Sequence, residues 1–140
     1  QRIDMFNGLT KPQLSKLAGI FSIRTLDEKE RLFEKGDEAG HLYLVKEGFV
    51  EVAIDVQHPA KERTIISLGP GQSVGEMSLV DRGSRSASVY AAGGGATVVL
   101  APFAEFDALC DEDPIIGYRV MRNIAADLSF RLRHQHLQNY

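Results

Sequence analysis

One cysteine, Cys110, is the only thiol in 140 residues. A single thiol excludes an intramolecular disulfide and any multi-cysteine zinc site, and it fits a reducing compartment. Long hydrophobic runs are missing too. The most apolar stretch, 96–101, is six residues long, against the ~18 that a membrane helix needs. Gln1, Arg2, Ile3 and Asp4 carry no signal-peptide core, and no Met stands first, which points to a chain excised from a longer one or trimmed. A basic excess is also absent: 16 Lys and Arg face 19 Asp and Glu, a formal net charge of −3. Neutralising a nucleic-acid backbone takes a concentrated basic stripe, so direct nucleic-acid contact is not expected. A small anion, which needs only one or two local cations, remains open. No His-Glu-x-x-His stands in the chain, and metal-ligand sets for phosphodiester cleavage are lacking. The expectation is binding without turnover: not an enzyme, no cofactor, no metal.

What is present is an ordinary globular balance, 44% hydrophobic and 25% charged residues, which excludes a disordered tail. The length fits one domain over 1–140, able to bury roughly 68–70% of its unfolded surface without staples. The expected location is cytoplasmic, either free or as the cytosolic domain of a larger protein.

Three regions follow along the chain. In 1–20, Thr10-Lys11-Pro12-Gln13 reads as a helix start, with a capping box between Thr10 and Gln13 and Pro12 in the first turn. Leu14, Leu17 and Ala18 then share a face, and Gly19 ends a short helix. From position 21 to 101 the period becomes two. Short runs at 21–26, 31–34, 41–46, 49–55, 63–68, 73–75, 85–91 and 96–101 predict eight strands, the signature of a mainly β jelly-roll β-roll. Gly36-Asp37, Gly48 and Gly69-Pro70-Gly71 supply turn chemistry, the last suited to a type II turn. Gly93-Gly94-Gly95 is expected to turn one strand into the next; no Gly-Lys-Ser/Thr follows, so it is not a P-loop. In 102–140 the helical period returns. Phe103, Phe106, Leu109 and Cys110 share a face, which favours a buried Cys110 over a nucleophile. Asp111-Glu112-Asp113 lacks calcium-loop spacing, and Asp113 before Pro114 reads as an N-cap. A long last helix runs from Pro114 to about Gln138. Met121, Ile124, Leu128 and Leu132 form one apolar stripe, with Ile116, Val120, Phe130 and Leu137 nearer a second face. His134 and His136, two apart, make a poor metal pair.

The segment that carries chemistry is 75–89. Glu76 to Leu79 is long enough for one helical turn with free backbone N–H groups. Arg85 adds a planar, permanently charged fork for two phosphate oxygens, and Ser86 a hydroxyl donor beside it. A carboxylate at Glu76 is a poor phosphate ligand but a good acceptor for sugar hydroxyls. Together they form a cradle for a phosphate joined to a ribose; the structural alternative is an internal ion pair between Glu76 and Arg85.

Gly75-Glu76-Met77-Ser78-Leu79 followed by Arg85-Ser86-Ala87 resembles the phosphate-binding cassette (75–87) of the cyclic nucleotide-binding domain family. That family includes protein kinase A regulatory subunits and nucleotide-gated channels. The resemblance extends over nearly the whole chain, through its glycine pattern, strands and flanking helices. It implies a short N-terminal helix, an eight-stranded β-roll, a short cassette helix and two C-terminal helices, the last one long. It further implies that Arg85 and Ser86 hold the exocyclic oxygens of a cyclic phosphate and that Glu76 accepts from the ribose 2′-hydroxyl. Backbone amides around Gly75, Met77, Ser78 and Ala87 would seat sugar and phosphate. Val52, Ile65, Ile66 and Val74 would wall the base pocket. The last helix would close over the base, with Arg131 where a family member has a small base-reading hydroxyl. Arginine only donates, so it would bond guanine O6 and N7 or stack on adenine.

By this resemblance the domain is an allosteric signal-transduction module. It would bind cyclic AMP, with cyclic GMP as the other choice, and pass binding through the C-terminal helix to an effector domain of the parent protein or to a partner subunit. A homodimer through that helix is a further expected partner. The competing reading is a ligand-independent interaction or dimerisation module on a vestigial fold.

Overall fold

The computed structural model describes residues 5–55 and 63–139; the side chains of 54, 55, 63, 64 and 135–139 lie outside that description. Expectations resting on residues 1–4 or on the side chains of His136 and Leu137 therefore lie outside the described residues. The chain forms two compact units, 21–103 and the pair of segments 1–20 and 104–140.

The first unit is a sheet. Its strands are β1 (Ser22–Leu26), β2 (Arg31–Phe33), β3 (His41–Asp55), β4 (Arg63–Leu68), β5 (Ser73–Val74) and β6 (Ser88–Pro102), with helix α1 (Lys11–Ala18) before them and α2 (Glu76–Asp81) between β5 and β6. The order is β1-β6-β3-β4, with β2 on β6 and β5 on β3, all antiparallel. This corrects the expected fold: among the described residues there are six strands in one sheet that does not close, not an eight-stranded jelly-roll β-roll. Two pairs of runs are continuous strands. The runs at 41–46 and 49–55 are both β3, and 96–101 together with 88–91 of the run at 85–91 fall in β6, so the Gly93–Gly95 stretch continues a strand instead of ending one.

The physical reason is a bulge. The β3–β6 register slips between Val45 and Glu47 and again between Gly48 and Val50. A bulge bends a strand without ending it, and a hydrophobic pattern interrupted by glycine looks the same either way. Gly48 is required there: its φ is +73°, and a Cβ would come within 2.5 Å of the Gly95 carbonyl oxygen. The turn before β5 is as expected, with Gln72 N–H donating to the Gly69 carbonyl at 3.1 Å. Leu26, Val45, Val50, Leu68, Val74, Val89 and Val98 form the buried centre of the unit.

The second unit is helical. α1 opens with the capping box, Thr10 N–H donating to Gln13 Oε1 at 2.8 Å and Gln13 N–H to Thr10 Oγ1 at 3.3 Å. α3 (Phe103–Glu112) and α4 (Pro114–Asn139) follow. Asp113, between them, accepts from Lys16 Nζ at 3.3 Å. Along α4 the buried row is Ile116, Val120, Ile124 and then the polar Asp127, whereas Leu132 of the expected stripe is 59% exposed. Steps of four and three pick a row one position away from the one the apolar residues outline. Among the described residues no helix is long and apolar enough to cross a membrane.

Candidate functional site

The cassette begins at Gly75, whose left-handed backbone (φ +77°) caps the start of α2. Its lack of a side chain also makes room: a Cβ there would collide with Nη1 of Arg85. Glu76 and Ser78 are buried on α2, Met77 is exposed, and Arg82 ends the helix in the left-handed region, its N–H bonded to the Ser78 carbonyl at 2.9 Å. Arg85 lies in the following loop, not in a strand, with Ser86 exposed and Ala87 buried beside it.

Arg85 is the most informative residue in the unit. Only 4% of it is exposed. Its Nη1 donates to the Gly75 carbonyl at 3.2 Å and its Nη2 to the His41 carbonyl, at the start of β3, at 2.7 Å. The guanidinium carbon lies over the Phe33 ring, 4.1 Å from its centre, with Tyr43 at 5.7 Å and Phe103 at 6.0 Å. The main chain is anchored as well: Arg85 N–H donates to the Asp37 carbonyl and Gly36 N–H to the Arg85 carbonyl, each at 2.8 Å. Among the described residues no carboxylate makes an ion pair with this guanidinium, so the internal Glu76–Arg85 pair does not form. Burial lowers the Arg85 pKa from the usual guanidinium value, an effect the Tyr43 and Asp37 charges oppose.

The residues expected around a base fall into four groups. Val52 and Ile66 are direct antiparallel partners and so share a face; Val52 packs against the buried centre and Ile66 is 44% exposed. Ile65, opposite Ala53, points to the other face, because neighbours on a strand alternate. Val74 is fully buried beside Tyr43. Arg131 belongs to α4, where its guanidinium is ion-paired with Asp127, its Nε at 3.1 Å from Oδ2.

Sequence reading missed Phe33, Tyr43 and Phe103 as surroundings of Arg85, and the carbonyls of His41 and Gly75 as its acceptors. An aromatic in a short strand carries no mark distinguishing a cation shelf from core packing, and carbonyls carry none at all. The remaining chemically suggestive groups are explained locally. Burial, aided by Asp107, Asp111 and Asp113, pushes the Cys110 thiol up to about 11, which fits an unreactive side chain. The His134 ring lies tilted against Phe130 with ring centres 4.0 Å apart, and no metal-holding cluster exists among the described residues.

Comparison with known proteins gives a consistent result. The family described as "Cyclic nucleotide-binding domain" matches residues 23–113. A cyclic AMP receptor protein from Thermus thermophilus is 36% identical over 135 residues, covering 96% of this chain and 59% of that protein. A cAMP-dependent protein kinase type II regulatory subunit from Drosophila melanogaster is 34% identical over 107 residues, covering 76% of this chain and 28% of that protein. The crystal structure of Thermus thermophilus catabolite activator protein superposes with a TM-score of 0.81 at 32% identity, over 96% of this chain and 61% of that one. The chain thus spans about three fifths of the first of these relatives and less of the second.

Proposed function

We propose that this chain, which belongs to the cyclic nucleotide-binding domain family, takes cyclic AMP at the Arg85 cassette and passes the bound state on through α4. The family makes it a non-catalytic regulatory domain whose ligand is a cyclic nucleotide. One observation carries the reading of the site: a guanidinium 4% exposed that meets carbonyls and rings but no carboxylate. Buried charge is costly unless it is paired, and an anionic ligand is the partner that completes it. A guanidinium has five N–H donors; the two carbonyls occupy two, which leaves three for phosphate oxygens. Charge-assisted bonds of this kind contribute roughly 1.5–3 kcal/mol each.

In this reading Ser86 assists Arg85 at the phosphate, and Glu76 accepts from the ribose 2′-hydroxyl. The amides of Gly75, Met77, Ser78 and Ala87 seat the sugar phosphate. Val52 and Ile66 line the base with Val74 behind them, and Ile65 lies on the opposite face. Cyclic AMP is favoured over cyclic GMP because the two curated relatives above are named for cyclic AMP. The bound base gives α4 a surface to cover, and a difference in that contact between two positions is what lets a ligand shift an equilibrium. The recipient is an effector domain of the parent protein or a partner subunit, including a second copy of this chain.

Calorimetric titration with cyclic AMP, cyclic GMP and 5′-AMP tests this. The expected order is cyclic AMP tightest, cyclic GMP weaker, and 5′-AMP at least about tenfold weaker than cyclic AMP, a difference of ~1.4 kcal/mol. Equal affinity for 5′-AMP and cyclic AMP, or heat from none of the three, would overturn the reading.

A further inference from the structure

Two hydrogen bonds fix a line, not a plane. The bonds from Nη1 to the Gly75 carbonyl and from Nη2 to the His41 carbonyl hold one edge of the Arg85 guanidinium. With those bonds alone the group could still rock about the axis joining the two acceptors, and the three remaining N–H groups would sweep through a range of directions. A ring packed against the group limits that rotation. Phe33 supplies it, with the guanidinium carbon 4.1 Å from the ring centre; Tyr43 and Phe103 stand at the margin of cation–π range.

The chemistry of the shelf matters as much as its position. A carboxylate under Arg85 would stabilise the buried cation but cancel its charge and compete with any anion. A benzene ring offers its electron-rich face instead. It offsets part of the desolvation while leaving the whole positive charge for a ligand. The ring is also delivered to the cation by construction. Phe33 pairs with Val89 at the start of β6. Two to four residues beyond β2, Lys35 N–H donates to Ser88 Oγ at 3.0 Å, Gly36 N–H donates to the Arg85 carbonyl, and the Asp37 carbonyl accepts from Arg85 N–H. Shelf and cation therefore sit on two segments stitched together by backbone bonds.

We propose that Phe33 is a positioning residue: its ring sets the plane of the Arg85 guanidinium and hence the direction in which its three uncommitted N–H groups meet an anionic ligand. The affinity part of this inference rests on the nucleotide-binding reading above, whereas the orientation part does not.

The test compares Phe33→Leu, which keeps apolar bulk without a π-face, with Phe33→Tyr, which keeps the ring. In the ligand-free protein the Arg85 Nε–H resonance of the wild type should carry a ring-current shift. That shift should be lost in Phe33→Leu and retained in Phe33→Tyr. Titration with cyclic AMP should show affinity falling roughly three- to thirtyfold in Phe33→Leu, the range expected for a desolvated cation–π contact, and recovering in Phe33→Tyr. Thermal unfolding checks that each variant is folded, and Phe33→Met replaces Phe33→Leu if that one is not. An unchanged resonance and affinity in the ring-less variant overturns the proposal, as does a Tyr variant that behaves like Leu. If the wild type binds no cyclic nucleotide, the functional reading fails on its own. The resonance then decides the role of Phe33: a shift lost with the ring supports it, an identical shift overturns it.

Discussion

In the sheet unit the guanidinium of Arg85 is buried and meets only carbonyls and rings. In the helical unit the side chain of Arg131 is 42% exposed and meets the carboxylate of Asp127, which is itself 6% exposed. Both regions place one charged group inside the protein, but they complete it differently. On α4 the buried charge is the carboxylate, and an arginine four residues on satisfies it from the solvent side. That pair is closed and leaves no net charge. Around Arg85 the buried charge is the cation, and the groups its guanidinium directly bonds or packs against are neutral. The first arrangement is a structural ion pair; the second leaves an open demand for an anion. Sequence alone ranks both arginines as ligand contacts, and only their partners tell them apart.

The strongest way to break this contrast is Arg85→Leu. Cyclic AMP affinity should fall at least about tenfold, and roughly a hundredfold or more if two charge-assisted bonds are lost, at ~1.5–3 kcal/mol each. Calorimetry reads the affinity and circular dichroism the retained fold. Affinity within twofold of wild type would place the anion elsewhere. Next in size, Arg131→Leu should lower stability by about 3 kcal/mol in urea unfolding, because it removes the arginine from a buried carboxylate. Asp127→Asn, which removes the charge itself, should cost less. If Asp127→Asn proves the more damaging of the two, the buried charge on α4 is not what Arg131 compensates. Smallest is Gly75→Ala. Its backbone lies in the left-handed region, so a loss of about 1–2 kcal/mol is expected. Because the added methyl would also displace Nη1, cyclic AMP affinity should fall with it. A loss of stability at unchanged affinity would show that the guanidinium tolerates the shift.

What was legible in the sequence follows from which signals are local. The capping box of Thr10 and Gln13 is a four-residue pattern, and it folds as read. The Gly69-Pro70-Gly71 turn does the same. The strand count was not legible, because an interruption at Gly48 reads as a boundary whether the chain turns back or merely bulges. Only the register against β6 separates the two, and register belongs to the partner strand. In the site, Gly75, Glu76 and Arg85 stood out through their spacing, while Phe33 and the His41 carbonyl, which orient Arg85, come from strands far away in sequence. Ile65 and Ile66 are adjacent in β4 and so face opposite ways, which only the pairing with β3 makes visible.

The continuity of β3 and β6 has a kinetic consequence. Ala53 pairs with Ser88, and the whole stretch from β4 through α2 to Arg85 lies in the loop that this pairing closes. Long-range antiparallel pairing must overcome the entropy of closing its loop before it gains any contact, which makes it slow. The ring shelf on β2, the acceptor at His41 and the arginine itself come together only once those two strands have met. The binding surface is thus a late product of folding, so a ligand would act chiefly by slowing the return to the unfolded chain and would do little to hasten its collapse.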